Sequence, residues 1–293
     1  MKPPILSSLL LIVATLAFGE TQMAISGSIE WEQMEVNAVI TMDLASAGVR
    51  IPTGRIQAEE LIQGEYPYLI RPYLLSLVVD SANTLGDILN QGTLSFKSET
   101  ISGTAQKIPP ALSQDLASMS ARYTLDLYKL VGELMQHKQP VESMRLLIPV
   151  PTVPYTGILI IADEALPVHG RHGTALARPS LFPKIWDSAM NLIYEQSMVD
   201  SQQVRSIVRY VSPGKIFMAT PSGLEDDLIG LVGTNPLRII ARGVFGIHLT
   251  DPIIDRQDAL QIVSSEENRR LLREGRVVIV LNRQVLSVPF SAP

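Results

Sequence analysis

The sequence contains no cysteine. That absence excludes disulfide bridges and cysteine-based metal sites. It also excludes a lipid-modified amino terminus, because that anchor needs a cysteine at the point of attachment. Charge of one sign is not in large excess: 24 basic residues stand against 29 acidic ones, for a formal net charge of −5. No global attraction to nucleic acid or anionic lipid is expected from that balance. Beyond the amino terminus no apolar run approaches the roughly 18 residues that a spanning helix needs, so no membrane span is expected in the mature chain. There is no G-x-S-x-G elbow and no H-E-x-x-H helix. "SPGKI" has the glycine-lysine pair of a phosphate loop but lacks the earlier glycine and the following serine or threonine. No cofactor is implied, and no internal repeat is evident.

What is present is a chain of 293 residues with 46% hydrophobic and 18% charged residues. That composition excludes a mostly disordered protein and predicts a sizeable core. It begins "MKPPILSSLLLIVATLAFGETQ". Lys2 supplies a short positive region, Ile5 to Phe18 an apolar run, and Ala17 and Gly19 the small residues of a cleavage site before Glu20. This is the pattern of a secretory signal peptide, residues 1–19, and it predicts export to the periplasm of a double-membrane bacterium. Without disulfides, the exported chain must depend on its hydrophobic core.

Residues 26–44 alternate in part, with Val36, Ala38, Ile40 and Met42 on one side, and predict one long strand or a hairpin bent near Gln33. Gly54 to Gln91 has helical spacing, which Pro67 and Pro72 should kink or break, with Asp80 or Ser81 capping a further helix near Asn90. Residues 93–107 suit another short helix, "KIPPALSQD" a loop, and Met119 to Leu127 a half-buried strand. "IPVPTVPYTG" places three prolines between Pro149 and Pro154, a semi-rigid linker and the best candidate boundary. Ile158 to Ala162 then reads as a buried strand. "SLFPKIWDSAMNLIYEQSMVD" reads as two short strands about a turn at Asp187 to Ala189. Val204 to Val211 is a further strand, and Leu237 to Leu249 is strand-like, with Gly243 and Gly246 marking bulges or close backbone approach. Asp255 suits an N-cap, Ser264 and Glu267 a capping box, Gly275 a helix stop, and Arg276 to Asn282 a central closing strand. The class is α+β: two small mixed domains, each a few-stranded sheet with helices packed on one face. The domains are 20–148 and 155–293, joined by the linker 149–154.

The chemistry-bearing residues are few. His169 and His172 lie three apart in a glycine-flanked loop, with Asp163 and Glu164 nearby in sequence. Two imidazoles are weak metal candidates, because a useful site needs a third ligand and Arg171 between them repels a cation. The acidic cluster Glu225 to Asp227 suits a solvated helix start better than an acid-base pair. Phe182, Trp186 and Tyr194 form a local aromatic cluster, suited to a core or to anchoring an interface.

Several segments, "YTGILIIAD", "ARPSLFPKIWDSAMNLIY", "VRYV", "NPLRIIARGVFG" and "DALQIVSSEENRRLLREGRVVIVLN", follow one another in a recognisable order. They resemble a family of exported bacterial envelope proteins related to small outer-membrane lipoproteins and flagellar outer-membrane assembly proteins. The shared elements are a Y-T-G-plus-strand segment, a P-x-I-x-D block (Pro183, Ile185 and Asp187) and an apolar closing strand ending in Asn or Asp. The resemblance spans most of residues 28–282. This chain departs from it in lacking a lipid-attachment cysteine and in ending the Y-T-G strand with "ADEALPVHG".

What the resemblance implies is a non-enzymatic structural or assembly role in the envelope, with envelope or flagellar proteins or a second copy as partners. The loops Asp163–Gly173 and Ala219–Pro236 are the candidate contact regions. Glu164, Pro167, His169, Arg171, His172, Phe182, Trp186 and Tyr194 are the interface candidates. Two other readings stand beside it: a metal-dependent envelope hydrolase using His169 and His172, and a periplasmic carrier holding a small or lipidic ligand between the domains.

Overall fold

The structure is a computed structural model that describes residues 23–91, 105–135, 137, 139–146, 150–202, 204–218 and 222–292. The signal-peptide pattern and most of the helix expected over 93–107 lie outside the described residues. The fold is α+β.

The alternation in the first forty residues becomes a hairpin: β1 (Met23–Glu30) and β2 (Glu35–Asp43) pair antiparallel, and Met34 closes the turn with φ +56°. β3 (Gln106–Leu112) and β4 (Ser118–Asp126) extend the sheet beyond β2. Val36, Ala38, Ile40 and Met42 of β2 and Met119, Ala121, Tyr123 and Leu125 of β4 are all buried on one face. The opposite face carries polar cross-strand pairs, Thr41 with Ser120 and Thr124 with Asn37.

Helix α1 (Arg55–Leu75) packs on the apolar face, burying Ala58, Ile62, Tyr66, Ile70 and Leu74, one per turn. The Tyr66 ring stacks on that of Tyr123 at 3.9 Å. Of the kink or break expected at Pro67 and Pro72, the break does not occur: both prolines lie inside one helix. Each proline removes the amide that would bond the carbonyl four residues back, at Gln63 and Tyr68. Both are exposed, so water can satisfy those carbonyls while the packed face stays continuous.

Helix α2 (Leu85–Asn90) is capped by Thr84 in a reciprocal box with Asp87, not by Asp80 or Ser81. Asp80 instead holds the preceding turn, accepting from the amides of Ala82 and Asn83. "KIPPAL", read as a loop, is the edge strand β3. Its register shifts between Ile108 and Ala111, where the two prolines fall. Prolines are tolerated at such an irregular edge because the missing amides have no ladder partner. Helix α3 (Leu127–Leu134) follows β4 directly, with Asp126 as its cap.

The second half is built on a parallel sheet. β5 (Ile158–Ala162) is followed by the hairpin β6 (Ala165–Pro167) and β7 (Thr174–Leu176), then by β8 (Ile185–Asp187), β9 (Leu192–Tyr194) and β10 (Arg209–Val211). Helix α4 (Asp226–Val232) leads to β11 (Leu237–Ile240), β12 (Gly243–Phe245) and β13 (Asp251–Ile254). Helices α5 (Arg256–Ser264) and α6 (Glu266–Arg273) precede β14 (Val277–Leu281).

The strands β10-β14-β5-β11 form the parallel sheet, while β12-β13-β8-β9 form a smaller mixed one. Both faces of the parallel sheet are buried, which explains the unbroken apolar runs "ILIIA" and "VVIVL". Leu159, Val278 and Val280 meet Leu228 and Val232 of α4 on one face. Ile158, Ile160, Val277 and Ile279 join the core of α5 and α6.

Local details differ from expectation in three places. The strand foreseen over Val204 to Val211 is confined to Arg209–Val211. Leu237 to Leu249 is two strands in two sheets, the chain changing sheet at Ala241 and Arg242. The cap of α6 is Ser265, which accepts from the amide of Asn268, whereas the Ser264 hydroxyl turns back to the Leu260 carbonyl. Asp255 caps α5 as expected, and Gly275 follows α6 with φ +60°.

The chain then crosses back. After α7 (Arg283–Leu286), β15 (Ser287–Ala292) pairs antiparallel with β1, so the first sheet has the order β15-β1-β2-β4-β3. Phe290 of β15 stacks on Tyr73 of α1 at 4.3 Å. The halves meet elsewhere too. Glu32 accepts the amide of Ser212 at 2.5 Å, and the Trp31 ring lies edge-on to Tyr210 at 6.0 Å. The amides of Ile247 and His248 both donate to the Ser81 carbonyl, at 2.7 and 3.1 Å. Among the described residues no helix is long and apolar enough to cross a membrane.

Candidate functional site

The loop with the two histidines is the turn of the β6–β7 hairpin. It runs from Val168 to Gly173, closed by the Val168 amide on the Gly173 carbonyl at 3.1 Å. Gly170 and Gly173 take φ of +73° and +114°, conformations that side chains disfavour, which accounts for both glycines. The hairpin is not free of the body. Val168 bridges Val244, and the His169 amide donates to the Val244 carbonyl at 2.9 Å. Gly243 eases this approach, since a Cβ there would lie a tight 3.1 Å from the Pro167 carbonyl oxygen.

This docking lays three aromatic rings in a row. His169 meets Phe245 edge-on at 5.8 Å, and Phe245 meets Trp186 edge-on at 5.9 Å. His169 is exposed and the other two are half-buried. Edge-to-face geometry of this kind is the favoured one, because the positive edge of one ring faces the negative face of the next. Trp186 is held from beneath: its indole N–H donates to Oδ2 of Asp251 at 3.1 Å. Asp251 is wholly buried and pairs across the strand with Phe245. Its other oxygen accepts from the Lys184 amide and the Thr250 hydroxyl, each at 3.0 Å. Ser81 of the first half lies close enough to favour its charged form. Burial pushes the Asp251 carboxyl above the ordinary aspartate range, and the hydrogen bonds offset only part of that push. A buried carboxylate therefore fixes the orientation of a surface tryptophan.

Of the residues singled out from the sequence, Glu164, Pro167, His169, Arg171 and His172 are exposed on or beside the hairpin, and Trp186 is half-exposed. The structure brings His169 and Trp186 to one face through Phe245. Phe182 and Tyr194 do not join them. They are 4% and 0% exposed, and the Tyr194 hydroxyl donates to the Ile207 carbonyl at 2.6 Å; both are core residues, leaving no ring surface for a partner. Among the described residues no group of three or more His, Asp or Glu side chains comes together to hold a metal ion, so Asp163 and Glu164 do not complete a site with the two histidines. Asp163 instead offers its carbonyl to the Asn282 side chain at 3.0 Å.

The second contact region, Ala219 to Pro236, has its first three residues outside the described set. The remainder contains α4, whose acidic start is tied down by the pairs Arg209–Asp227 and Lys215–Glu225. Sequence reasoning missed Phe245 and Ile247, the latter 66% exposed and two residues beyond Phe245. The signal was "GVFGI", in which glycines at 243 and 246 let the backbone approach closely on either side of one aromatic residue.

Residues 22–133 match the family model described as Treponema pallidum Tp0624, N-terminal domain. Residues 157–283 match the model described as Treponema pallidum Tp0624, second domain. The chain is thus similar, in order, to two successive domains of one protein. The span between the matches holds the three prolines of 149–154, and β15 lies beyond the second match. No curated protein matches the chain.

Proposed function

We propose that this chain is a non-enzymatic structural or assembly protein of the cell envelope, exported to the periplasm, that works by protein-protein contact through the His169–Phe245–Trp186 face. The observation that carries the reading is the anchored aromatic row. Half-exposed aromatic side chains fixed in one orientation are the residues that dominate binding at interfaces, because little conformational entropy is left to lose when they are covered. The exposed polar residues Glu164, Arg171 and His172 on or beside the hairpin supply the polar rim that such a centre requires. The amino-terminal pattern supports export. The resemblance in the second half supports an envelope setting, with flagellar assembly as its narrower form.

A photocrosslinking amino acid placed at His169 tests the proposal in native cells. It is expected to give one discrete adduct, with an envelope protein or with a second copy, that Phe245→Ala removes. The same labelling with no specific adduct, in cells where the protein is folded and exported, overturns the reading. Flagellar proteins in the adduct support the narrower form, and their absence from it removes that form alone.

A further inference from the structure

A second feature lies in the seam where β15 returns to the first half. A cleft of about 380 Å³ opens there between the end of α1, the strand pair β1–β15 and the segment at Arg178. That volume falls within the range of small-molecule sites. Its walls are mostly apolar, with Ile29, Trp31, Leu77, Val288 and Pro289 among them, beside the neutral polar Ser76, Gln284 and Ser287. Arg178 is the one charged residue of the lining, it is exposed, and its guanidinium has no partner among the described residues.

The frame of the cleft is rigid. The Trp31 amide donates to the Leu286 carbonyl at 2.9 Å, and its ring rests against Tyr210. The Tyr210 hydroxyl donates to the Ser180 carbonyl at 2.8 Å and accepts from the Ser180 amide at 3.0 Å, two residues beyond Arg178. The amides of Leu181 and Arg178 are likewise engaged, on the carbonyls of Val78 and Leu249. The backbone at Arg178 is thus held from both sides.

We infer that this cleft binds an amphiphile: an alkyl or similarly apolar body lying against Trp31, Leu77 and Val288, with one anionic group on Arg178. The apolar walls gain by being removed from water. An unpaired guanidinium at their margin supplies the charge-assisted, two-pronged contact that carboxylate and phosphate groups share. A neutral apolar body would leave that donor set unused, and a cation would be repelled. The cleft is therefore selective by charge as well as by shape.

Calorimetric titration of the purified chain with decanoate, decyl phosphate and decanol tests this. Binding of either anion, at least about tenfold tighter than decanol, is expected, since a hydrogen bond to a charged group is typically worth that much or more. Which anion binds more tightly identifies the headgroup. Arg178→Gln should remove the preference over decanol while leaving the exposed site folded. Val288→Trp, at a position 42% exposed, should fill the apolar wall and abolish binding of all three.

No binding of any probe overturns the inference, as does binding that Val288→Trp leaves unchanged or a preference for anions that survives Arg178→Gln. Self-association lost in Val288→Trp, with no alkyl probe bound, also overturns it and assigns the cleft to a second copy. None of these results bears on the aromatic row.

Discussion

Replacing Asp251 tests most directly whether a buried carboxylate organises the aromatic face. In Asp251→Ala, three donors lose their acceptor: the Lys184 amide, the Trp186 indole and the Thr250 hydroxyl. The hydroxyl can rotate to another partner, but the amide and indole are fixed. Each stranded buried donor costs about 1–3 kcal/mol. Lys184 and Trp186 are partly exposed, so water recovers some of that loss, and relief of the buried charge recovers more. The net destabilisation expected is about 2–4 kcal/mol. Urea unfolding followed by circular dichroism measures it, and the near-ultraviolet signal of Trp186 should weaken under native conditions.

Asp251→Asn adds a pH test. The folded-state carboxyl titrates above its unfolded value. Its contribution to stability is therefore fully present below the unfolded pKa, near 3.9, and is lost as pH rises through the folded value. Asp43, Asp87, Asp115, Asp227 and Glu266 are held below the usual carboxylate range and act in the opposite sense, so the quantity to read is the difference between wild type and Asp251→Asn. That gap should widen in favour of wild type as pH falls from 7 towards about 4. A gap that is flat or narrows, or a loss below about 1 kcal/mol in Asp251→Ala, refutes the reasoning.

Three further outcomes follow from the packing. Gly246→Ala places a Cβ 2.4 Å from that of Ser81 at φ +106° and threatens two backbone hydrogen bonds between the halves. It should cost about 3 kcal/mol or more, read as a lower urea midpoint. Asn268→Ala removes bonds to the Val153 and Gln261 carbonyls at 3.1 and 2.9 Å and from the Tyr155 amide at 3.0 Å. A loss of about 2–3 kcal/mol is expected, with faster proteolysis across residues 150–156. Pro72→Ala restores an amide to the exposed side of α1 and should stabilise by about 1–2 kcal/mol in thermal unfolding.

The strands that alternate or run unbroken were legible in the sequence, because burial on one face or on both leaves a periodicity of its own. Val36 to Met42 and Val277 to Leu281 illustrate the two cases. The helix carrying Pro67 and Pro72 was legible as a helix, but its continuity depends on which carbonyls face water, and only the tertiary packing decides that. β3 was misread because its two prolines give the local signal of a loop, and only an existing neighbour, β4, converts the segment into an edge. In the candidate site, the hairpin residues were found from their composition. Phe245 was not, because its importance comes from standing between two rings distant from it in sequence. The carboxylate that positions Trp186 was equally hidden, since Asp251 reads as an ordinary polar residue until its burial is known.

The return of β15 to β1 has a consequence for the order of assembly. Ile29 is made long before its partner Val288, about 260 residues further along the chain. Until then one flank of the first sheet is an unpaired edge with free amides and carbonyls, open to pairing with any other strand. Such sequence-distant closure makes folding slow. It also makes the first half dependent on the second, although the two match separate domain families. A cut within the proline-rich segment would leave two pieces still laced together by a shared sheet, as a buckle holds a strap that has been severed elsewhere.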